Sequence, residues 1–273
     1  MTIPAGCIRF VSDLHLGHGD AFAKHPEELR FLLEGCSTLV VCGDMVEDRK
    51  SPFREESMRQ KAVLEGMCQE AGVTLIPVCG NHDPNQEHDI LRLMDGKVAA
   101  LHGHCLFKEV APWSWDFLLN KKACRDLISQ FPEADTNLDS RMELARAMSL
   151  RVAPIIRHVG KGGQRSIIGK IGHIFWPPER PLAILRAWMT MDSRMFRFAK
   201  QFLPEARLIC YGHFHRRHVS QRNGVTAVNL GAFVKHATSY AVDLEGDIAS
   251  VREAPLAGFG KTVHTISLKP SGK

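Results

Sequence analysis

The chain has 273 residues, of which 44% are hydrophobic and 24% are charged, and its formal net charge at pH 7 is +5. These values are ordinary for globular proteins, and they exclude a collagen, a coiled coil and a largely disordered chain. The mild positive charge is compatible with anionic partners and does not by itself indicate nucleic-acid binding.

The sequence predicts neither export nor membrane insertion. Residues 1–10 contain Pro4 and Gly6 and lack the apolar core of a signal peptide. No stretch approaches the roughly 18 uninterrupted apolar residues of a membrane span. The eight cysteines form no CxxC pair, and several lie in apolar runs, which is typical of buried thiols in a reducing compartment. We therefore expect a cytoplasmic protein, with peripheral attachment to an inner membrane as the alternative.

Short apolar runs alternate with helical patterns in the first hundred residues. Strands buried on both faces are predicted at 8–11, 39–42, 75–79 and 98–101, and helices at 26–34 and 53–71. This alternation predicts an α/β core, in which ligands gather at the carboxyl ends of the strands. After the next segment, further strands are predicted at 208–211, 225–229, 239–244 and 248–252.

Residues 105–205 interrupt the alternation. Helices are predicted over 115–130, 139–158 and 180–203, and the segment carries 16 Lys and Arg against 10 Asp and Glu. We interpret this segment as a basic helical cap inserted into a core formed by residues 1–104 and 206–252. No role is predicted for the tail, 253–273.

Five clusters of ligand-type side chains follow the predicted strands. They are Asp13-Leu14-His15, Gly43-Asp44, Gly80-Asn81-His82-Asp83, His102-Gly103-His104 and Gly212-His213-Phe214-His215. Side chains two positions apart in extended chain point the same way, so each Asp-x-His or His-x-His pair can face one ion. Mixed carboxylate, amide and imidazole ligands suit Mn²⁺, Fe²⁺ or Zn²⁺, with Mn²⁺ favoured here, whereas Ca²⁺ and Mg²⁺ prefer oxygen-rich sites. The potential ligands are too numerous for one ion, so we expect two ions that share a bridging carboxylate.

These five motifs, which span residues 13–215, resemble those of the calcineurin-like metallophosphoesterases. The resemblance implies a four-layer αββα sandwich with a dinuclear metal centre beneath the cap. By motif position, the first ion would be held by Asp13, His15, Asp44 and His215. The second would share Asp44 and be completed by Asn81, His102 and His213. The resemblance makes His82 the catalytic histidine, with Asp83 and His104 supporting the ligands from behind.

The expected reaction is hydrolysis of a phosphate ester. Two cations would acidify a shared water, so that a bridging hydroxide could attack a phosphodiester, a phosphomonoester or a pyrophosphate. His82 would donate a proton to the leaving oxygen or stabilise the negative charge of the transition state. A nucleotide or a lipid-linked diphosphate fits this chemistry, and nucleic acid stays open without being favoured.

Two alternatives accompany this interpretation. The layout is also similar to UDP-2,3-diacylglucosamine pyrophosphohydrolases of lipid A synthesis, in which a helical cap shelters a lipid. Those enzymes carry arginine at the position of His82 and usually aspartate at that of His104. The second alternative is a non-catalytic, protein-binding scaffold of the same fold, such as the retromer scaffold subunit. The presence of His82 and of all the metal ligands favours an enzyme.

The cap contains the residues that we expect to contact the rest of the substrate. Arg157, Lys161 and Arg165 are placed to bind a second phosphate, with a solvated loop as the alternative. The predicted helix 180–203 is apolar on two sides, and Trp188 lies on one of them. Such a helix either packs between core and cap or lends one face, including Trp188, to an apolar substrate group.

Overall fold

Two β-sheets lie face to face at the centre of the protein, which the computed structural model describes over residues 6–151 and 178–269. The first sheet contains β1 (Ile8–Val11), β2 (Thr38–Val41), β3 (Thr74–Pro77), β9 (Tyr240–Glu245), β10 (Ile248–Glu253) and β11 (Thr262–Ser267). Its strand order is β11-β10-β9-β1-β2-β3. Strands β1, β2 and β3 are parallel, and β9, β10 and β11 add antiparallel partners.

The second sheet has five strands. They are β4 (Ile90–Leu93), β5 (Val98–Leu101), β6 (Leu208–Tyr211), β7 (His218–Arg222) and β8 (Val225–Asn229), in the order β4-β5-β6-β8-β7. Strands β5, β6 and β8 are parallel, so their carboxyl ends reach the same edge of the sheet.

The core between the sheets explains why the central strands are apolar runs. Phe10, Val40 and Ile76 of the first sheet share one buried cluster with Cys210 and Val228 of the second. Because the opposite face of each sheet is also covered, both faces of these strands require apolar side chains.

Helices cover the outer face of each sheet. A 3₁₀ helix (Pro26–Leu33) and α1 (Arg54–Glu70) lie on the first sheet, where Leu29 and Leu64 are buried against Leu39. The second sheet is covered by α2 (Trp115–Leu119), α3 (Lys121–Ser129), α4 (Leu138–Arg151) and α5 (Arg180–Phe202). In that layer Met195 of α5 is buried in one cluster with Ile209 of β6. The predicted αββα class is therefore confirmed.

The described helices of the 105–205 segment form this fourth layer. The division of the chain into core and cap stays a prediction, since these helices share one apolar cluster with β5 and β6. In the described parts of the chain, no helix combines the length and the apolar character that crossing a membrane requires.

Several elements differ from the sequence prediction. The helix predicted at 115–130 is two helices, because the backbone of Asn120 (φ −120°, ψ 28°) leaves the helical region between them. Strands β4, β7 and β11 were not predicted. All three lie at the edges of their sheets, where half-exposed or exposed side chains interrupt the apolar runs. Strand β11, in the tail for which no role was predicted, extends the first sheet through antiparallel pairing with β10.

Candidate metal centre and active site

The turns after β1, β2 and β6 bring the predicted ligands to one place. All five ligand residues on these turns adopt left-handed backbone, with φ between 48° and 74°: Asp13, His15, Asp44, His213 and His215. Such a conformation costs about 1–3 kcal/mol for a residue other than glycine. Backbone bonds maintain it, because Asp13 N donates to Gly43 O at 3.1 Å and His15 N donates to Asp44 O at 2.9 Å. The sharp turns aim neighbouring side chains into a common space.

The first group of ligands surrounds one oxygen of Asp13. His215 Nε2 lies 3.1 Å and His15 Nε2 lies 3.7 Å from Asp13 Oδ1. The two ring nitrogens are 3.4 Å apart. One ligand-type atom from each of these three residues lies within 4.8 Å of the other two, a spacing that suits ligands of a single ion.

Asp44 joins this group to a second one. Its Oδ2 lies 3.8 Å from His15 Nε2 and 3.2 Å from His102 Nε2. His102 Nε2 is in turn 3.2 Å from Asn81 Oδ1. Asp44 therefore lies between His15 on one side and the His102–Asn81 pair on the other, which is the position that a bridging carboxylate needs.

Hydrogen bonds orient the two buried histidines of the second group. His102 Nδ1 lies 3.0 Å from Cys42 O, and His213 Nε2 lies 2.9 Å from Val110 O. Because a carbonyl oxygen accepts a hydrogen bond, each contact identifies that nitrogen as the N–H donor and leaves the other nitrogen to face an ion. The nitrogen that could bind an ion is Nε2 of His102 and Nδ1 of His213. The ring centroids of His102 and His213 are 5.0 Å apart. Among the described residues, however, His213 does not belong to a group whose ligand-type atoms all lie within 4.8 Å of one another.

Two glycines of the motifs make room for the carboxylates. A Cβ at Gly80 would collide with the carboxylate of Asp44, and a Cβ at Gly212 would collide with the side chains of Ser12 and Asp13. The motif glycines are thus explained by the close approach of a neighbouring loop to a buried ligand.

His82 lies at the edge of the group in contact with two residues that the sequence analysis missed. Its backbone N donates to Asp44 Oδ1 at 2.8 Å, and its Nε2 is 3.9 Å from Asp44 Oδ2. Glu47 Oε2 lies 2.7 Å and Arg49 Nη2 lies 2.8 Å from His82 Nδ1. Arg49 also forms a two-bond ion pair with Glu47 at 2.9 Å. Two charged residues, three and five positions after Asp44, were the only sequence signal for this contact.

Asp83 and His104 lie behind the ligands. Asp83 accepts backbone N–H bonds from Asp44, Met45, Val46 and Gly80 at 2.9–3.3 Å, and so it holds the turn after β2. His104 is buried 5.4 Å from the ring of His102, and its Nδ1 has no hydrogen-bond partner among the described residues.

Burial and opposite charges shift the pKa values in different directions. Burial alone would raise the pKa of Asp44, but His102 and His82 lower it well below its usual value. Burial opposes protonation of His102, yet Asp44 and Asp13 raise its pKa to about 9. Burial and the charge of His102 lower the pKa of His213 to about 3.

The donor set fits divalent transition-metal ions. Asp13 Oδ1 is buried and has no hydrogen-bond partner among the described residues, although His215 Nε2 is close to it. A buried carboxylate oxygen without a donor is costly unless a cation binds it. Imidazole and carboxylate together suit Mn²⁺, Fe²⁺ and Zn²⁺.

The structure separates the two apolar sides of α5. Met191, Met195 and Phe198 are buried in the fourth layer, whereas Leu182 and Met189 are 70% and 74% exposed. Trp188 is 42% exposed on the outer side, and the guanidinium of Arg216 lies 5.6 Å from its ring centroid. The predicted substrate residues Arg157, Lys161 and Arg165 lie outside the described residues.

An aromatic pair next to the site was also missed by the sequence analysis. The ring centroid of His18 is 6.1 Å from that of His15 and 6.4 Å from that of His82. On its other side, His18 contacts Phe53 with centroids 4.4 Å apart. Burial lowers the pKa of His18 to about 4, so this ring is neutral at pH 7. An isolated histidine and phenylalanine far apart in sequence gave no signal.

Comparison with solved structures finds distant relatives of the fold. YfcE, a phosphoesterase from E. coli, is 14% identical with a TM-score of 0.43, over 96% of this chain and all of that one. Vps29 from Entamoeba histolytica, complexed with zinc, is 12% identical with a TM-score of 0.45, over 96% of this chain and 99% of that one. A protein described as a predicted phosphoesterase from Streptococcus pneumoniae TIGR4 is 12% identical with a TM-score of 0.40, over 97% and 99%.

Comparison with curated protein sequences gave no match. The family model of the calcineurin-like phosphoesterases, in contrast, matches residues 8–217. This range contains β1, β2 and β6, whose carboxyl ends carry the clustered aspartates and histidines, and it covers more than half of the chain. Fold, clustered ligands and family match agree, and the chain belongs to the calcineurin-like phosphoesterase family.

Proposed function

We propose that this protein is a metal-dependent phosphohydrolase with a dinuclear centre. The single observation that carries the proposal is the position of Asp44, a buried carboxylate within 3.8 Å of His15 and 3.2 Å of His102. Two separate ligand groups share this one residue, as a pair of neighbouring cations would require.

The side chains divide into two sets of ligands. Asp13, His15, Asp44 and His215 would hold one ion, and Asp44, Asn81, His102 and His213 the other. Bound there, two divalent cations supply Lewis acidity, which neutralises phosphate charge and lowers the pKa of water. Mn²⁺ is the favoured ion, and Fe²⁺ and Zn²⁺ are the alternatives. The protein contributes fixed ligand positions and a water-poor surface around Asp44, which is 2% exposed.

His82 is placed to act on the leaving group. Glu47 Oε2 lies 2.7 Å from Nδ1 and accepts a hydrogen bond from it, and Nε2 lies 3.9 Å from Asp44 Oδ2. With a proton on each ring nitrogen, the imidazolium of His82 can donate its Nε2 proton to the oxygen that leaves phosphorus. The substrate is a phosphodiester, a phosphomonoester or a pyrophosphate, since all three present the same phosphoryl group to these residues.

The test combines metal analysis with a substrate panel. Protein prepared without chelator and supplied with Mn²⁺ should bind close to two ions per chain. It should hydrolyse at least one of p-nitrophenyl phosphate, bis-p-nitrophenyl phosphate and a nucleoside diphosphate. Asp44→Asn should lose both metal and activity, whereas Asp126→Asn, a matched change on an exposed residue of α3, should lose neither. Absence of hydrolysis with Mn²⁺, Fe²⁺ and Zn²⁺ would favour the protein-binding scaffold instead.

A lipid-linked diphosphate is the second candidate substrate, because α5 exposes Leu185, Trp188 and Met189 on one side. Arg216, one residue after His215, reaches the ring of Trp188 and so connects this apolar surface to the site. Trp188→Gln should slow hydrolysis of an acylated diphosphate and leave that of its non-acylated analogue unchanged. Parallel changes in the two rates would assign the surface a structural role only.

A further inference from the structure

The rings of His18 and Phe53 form a continuous surface that begins at His82. The His18 ring is 6.4 Å from the His82 ring and 4.4 Å from the Phe53 ring, tilted by 51° to the latter. Phe53 is 38% exposed. Gly19 adds no side chain to this surface, and a Cβ there would lie 3.7 Å from Phe53 Cε1. The surface is therefore aromatic and exposed in part.

Hydrogen bonds hold the ring of His18 and the backbone of Phe53 in place. His18 Nδ1 accepts a bond from the backbone N–H of Asp20 at 3.2 Å. The proton of the neutral imidazole is consequently on Nε2, which can donate to a ligand. Phe53 precedes α1, where its N donates to Ser51 Oγ at 3.2 Å and its O accepts from Ser57 N at 2.9 Å. A surface that is rigid before binding loses little conformational entropy when a ligand orders on it.

The position of the surface assigns it to the leaving group. His82 is expected next to the oxygen that leaves phosphorus, and the ring of His18 is in contact with the ring of His82. A ring attached directly to that oxygen would lie at His82, whereas Phe53 is one ring contact further away. The surface is thus matched to a planar group that a linker, such as a sugar, separates from the phosphate.

The chemistry of the surface favours a heteroaromatic ring over an alkyl chain. An aromatic face binds another planar ring by offset stacking or edge contact. An acyl chain needs apolar walls on several sides, and here the neighbours include His18, Asp20 and Gly19. A donor on His18 Nε2 suits the hydroxyl or ring acceptors of a nucleoside.

We propose that His18 and Phe53 form a leaving-group subsite that selects phosphate esters of nucleosides by stacking on the base. This inference rests on the proposed function for the identity of the leaving group, but binding of the ligand tests it separately. Phe53 acts as a specificity residue and makes no contribution to bond cleavage.

The test uses two ligands that differ only in the base, adenosine 5′-monophosphate and ribose 5-phosphate. Dissociation constants for the Mn²⁺-loaded protein are measured by calorimetry, and kcat/KM is measured for each ligand that is hydrolysed. Stacking of one base strengthens binding by roughly five- to a hundredfold. We expect the nucleotide to bind about tenfold more tightly than the sugar phosphate.

Three variants separate stacking from structure. Phe53→Leu removes the ring and should bring the ratio of the two constants close to one, while Phe53→Trp keeps a ring and should preserve the ratio. Phe22→Leu, which alters another exposed phenylalanine not in ring contact with His18, should also preserve it. Equal affinities in the wild type, or an unchanged ratio in Phe53→Leu, would overturn the subsite. Failure to hydrolyse any ester would count against the proposed function and leave this binding comparison intact.

Discussion

Neighbouring residues of the site differ in what surrounds them, and this difference predicts their roles. Asp44 is buried between His15 and His102 and offers its carboxylate to both ligand groups. His82 is partly exposed, and its Nδ1 contacts the side chains of Glu47 and Arg49. Removal of a shared ligand should therefore affect metal binding, whereas removal of His82 should affect the chemical step.

We expect His82→Ala to retain most of the bound metal and to lower kcat by roughly 10²–10⁴-fold, the usual contribution of a positioned acid. Asp44→Ala should lose metal as well as rate. Metal content by mass spectrometry and steady-state kinetics on the best substrate of the panel check both expectations. Equal metal loss in the two variants would show that His82 is a ligand. The distances would allow that role, since ligand-type atoms of His15, Asp44 and His82 lie within 4.8 Å of one another.

Glu47 should act as a positioning residue. Its carboxylate raises the pKa of His82, which burial and Arg49 lower. Glu47→Gln should reduce kcat by about 10- to 100-fold with little change in KM, as loss of a supporting carboxylate commonly does. The fall of activity at high pH should also begin at lower pH, since a proton-donating His82 would lose its proton sooner.

The control for this prediction is Glu56→Gln, because Glu56 pairs with Arg59 on the surface of α1. A pH profile of kcat is the decisive measurement. If Glu47→Gln lowers activity without moving the profile, the residue contributes packing or charge rather than orientation of His82.

At the scale of elements, α5 shows how one helix can serve two environments. Met191, Met195 and Phe198 recur at helical spacing and are buried against the second sheet. Leu182, Leu185 and Met189 lie on the other side and are exposed. Of the two apolar sides of α5, one therefore packs in the core, and the other is a surface that the described residues leave uncovered.

The two sides of α5 should differ in their effect on stability. Met195 is fully buried, so Met195→Ala should lower the free energy of unfolding by about 2–5 kcal/mol through lost burial and a cavity. Leu182→Ala, at a position that is 70% exposed, should change it by less than about 0.5 kcal/mol. Urea unfolding followed by circular dichroism measures both values. Similar losses for the two variants would mean that the outer side of α5 is covered in solution.

At the scale of the whole molecule, the ligands connect the two sheets. Asp13 and Asp44 follow strands of the first sheet, and His102, His213 and His215 follow strands of the second. A cation held between them would tie together the two layers that enclose the central core.

Metal binding should consequently stabilise the fold as a whole. An ion that binds only the native state stabilises it by about 2.7 kcal/mol at a concentration of 100 times Kd. For a chain of this size we expect Mn²⁺ to raise Tm by roughly 5–10 °C over chelator-treated protein. Asp44→Asn should abolish most of this increase in differential scanning calorimetry. An increase of the same size in that variant would place the stabilising ion elsewhere.

The agreement between sequence and structure is closest where the physical constraint is local. Residues 225–229 were predicted as a strand and form one with the same bounds, because their apolar run is buried on both faces. Strand β11 was missed, because its half-buried residues Val263 and Ile266 are three positions apart and break the alternation that is typical of a strand. The break at Asn120 was missed because the residues on both sides of it favour helix.

Sequence by itself indicated an α/β core, the resemblance of its motifs implied the αββα class, and the ligand-type residues at the strand ends were predicted from the same motifs. Short apolar runs that end in Asp, Asn and His leave few alternatives, since parallel strands bring their carboxyl ends to one edge. Tertiary structure alone decided which residues surround them. Glu47 and Arg49 reach His82 from the turn after β2. His18, in the loop after β1, contacts both His82 and Phe53 at the start of α1. No sequence period encodes these contacts. Tertiary structure also decided which side of α5 is core, because only packing against β6 distinguishes its two apolar sides.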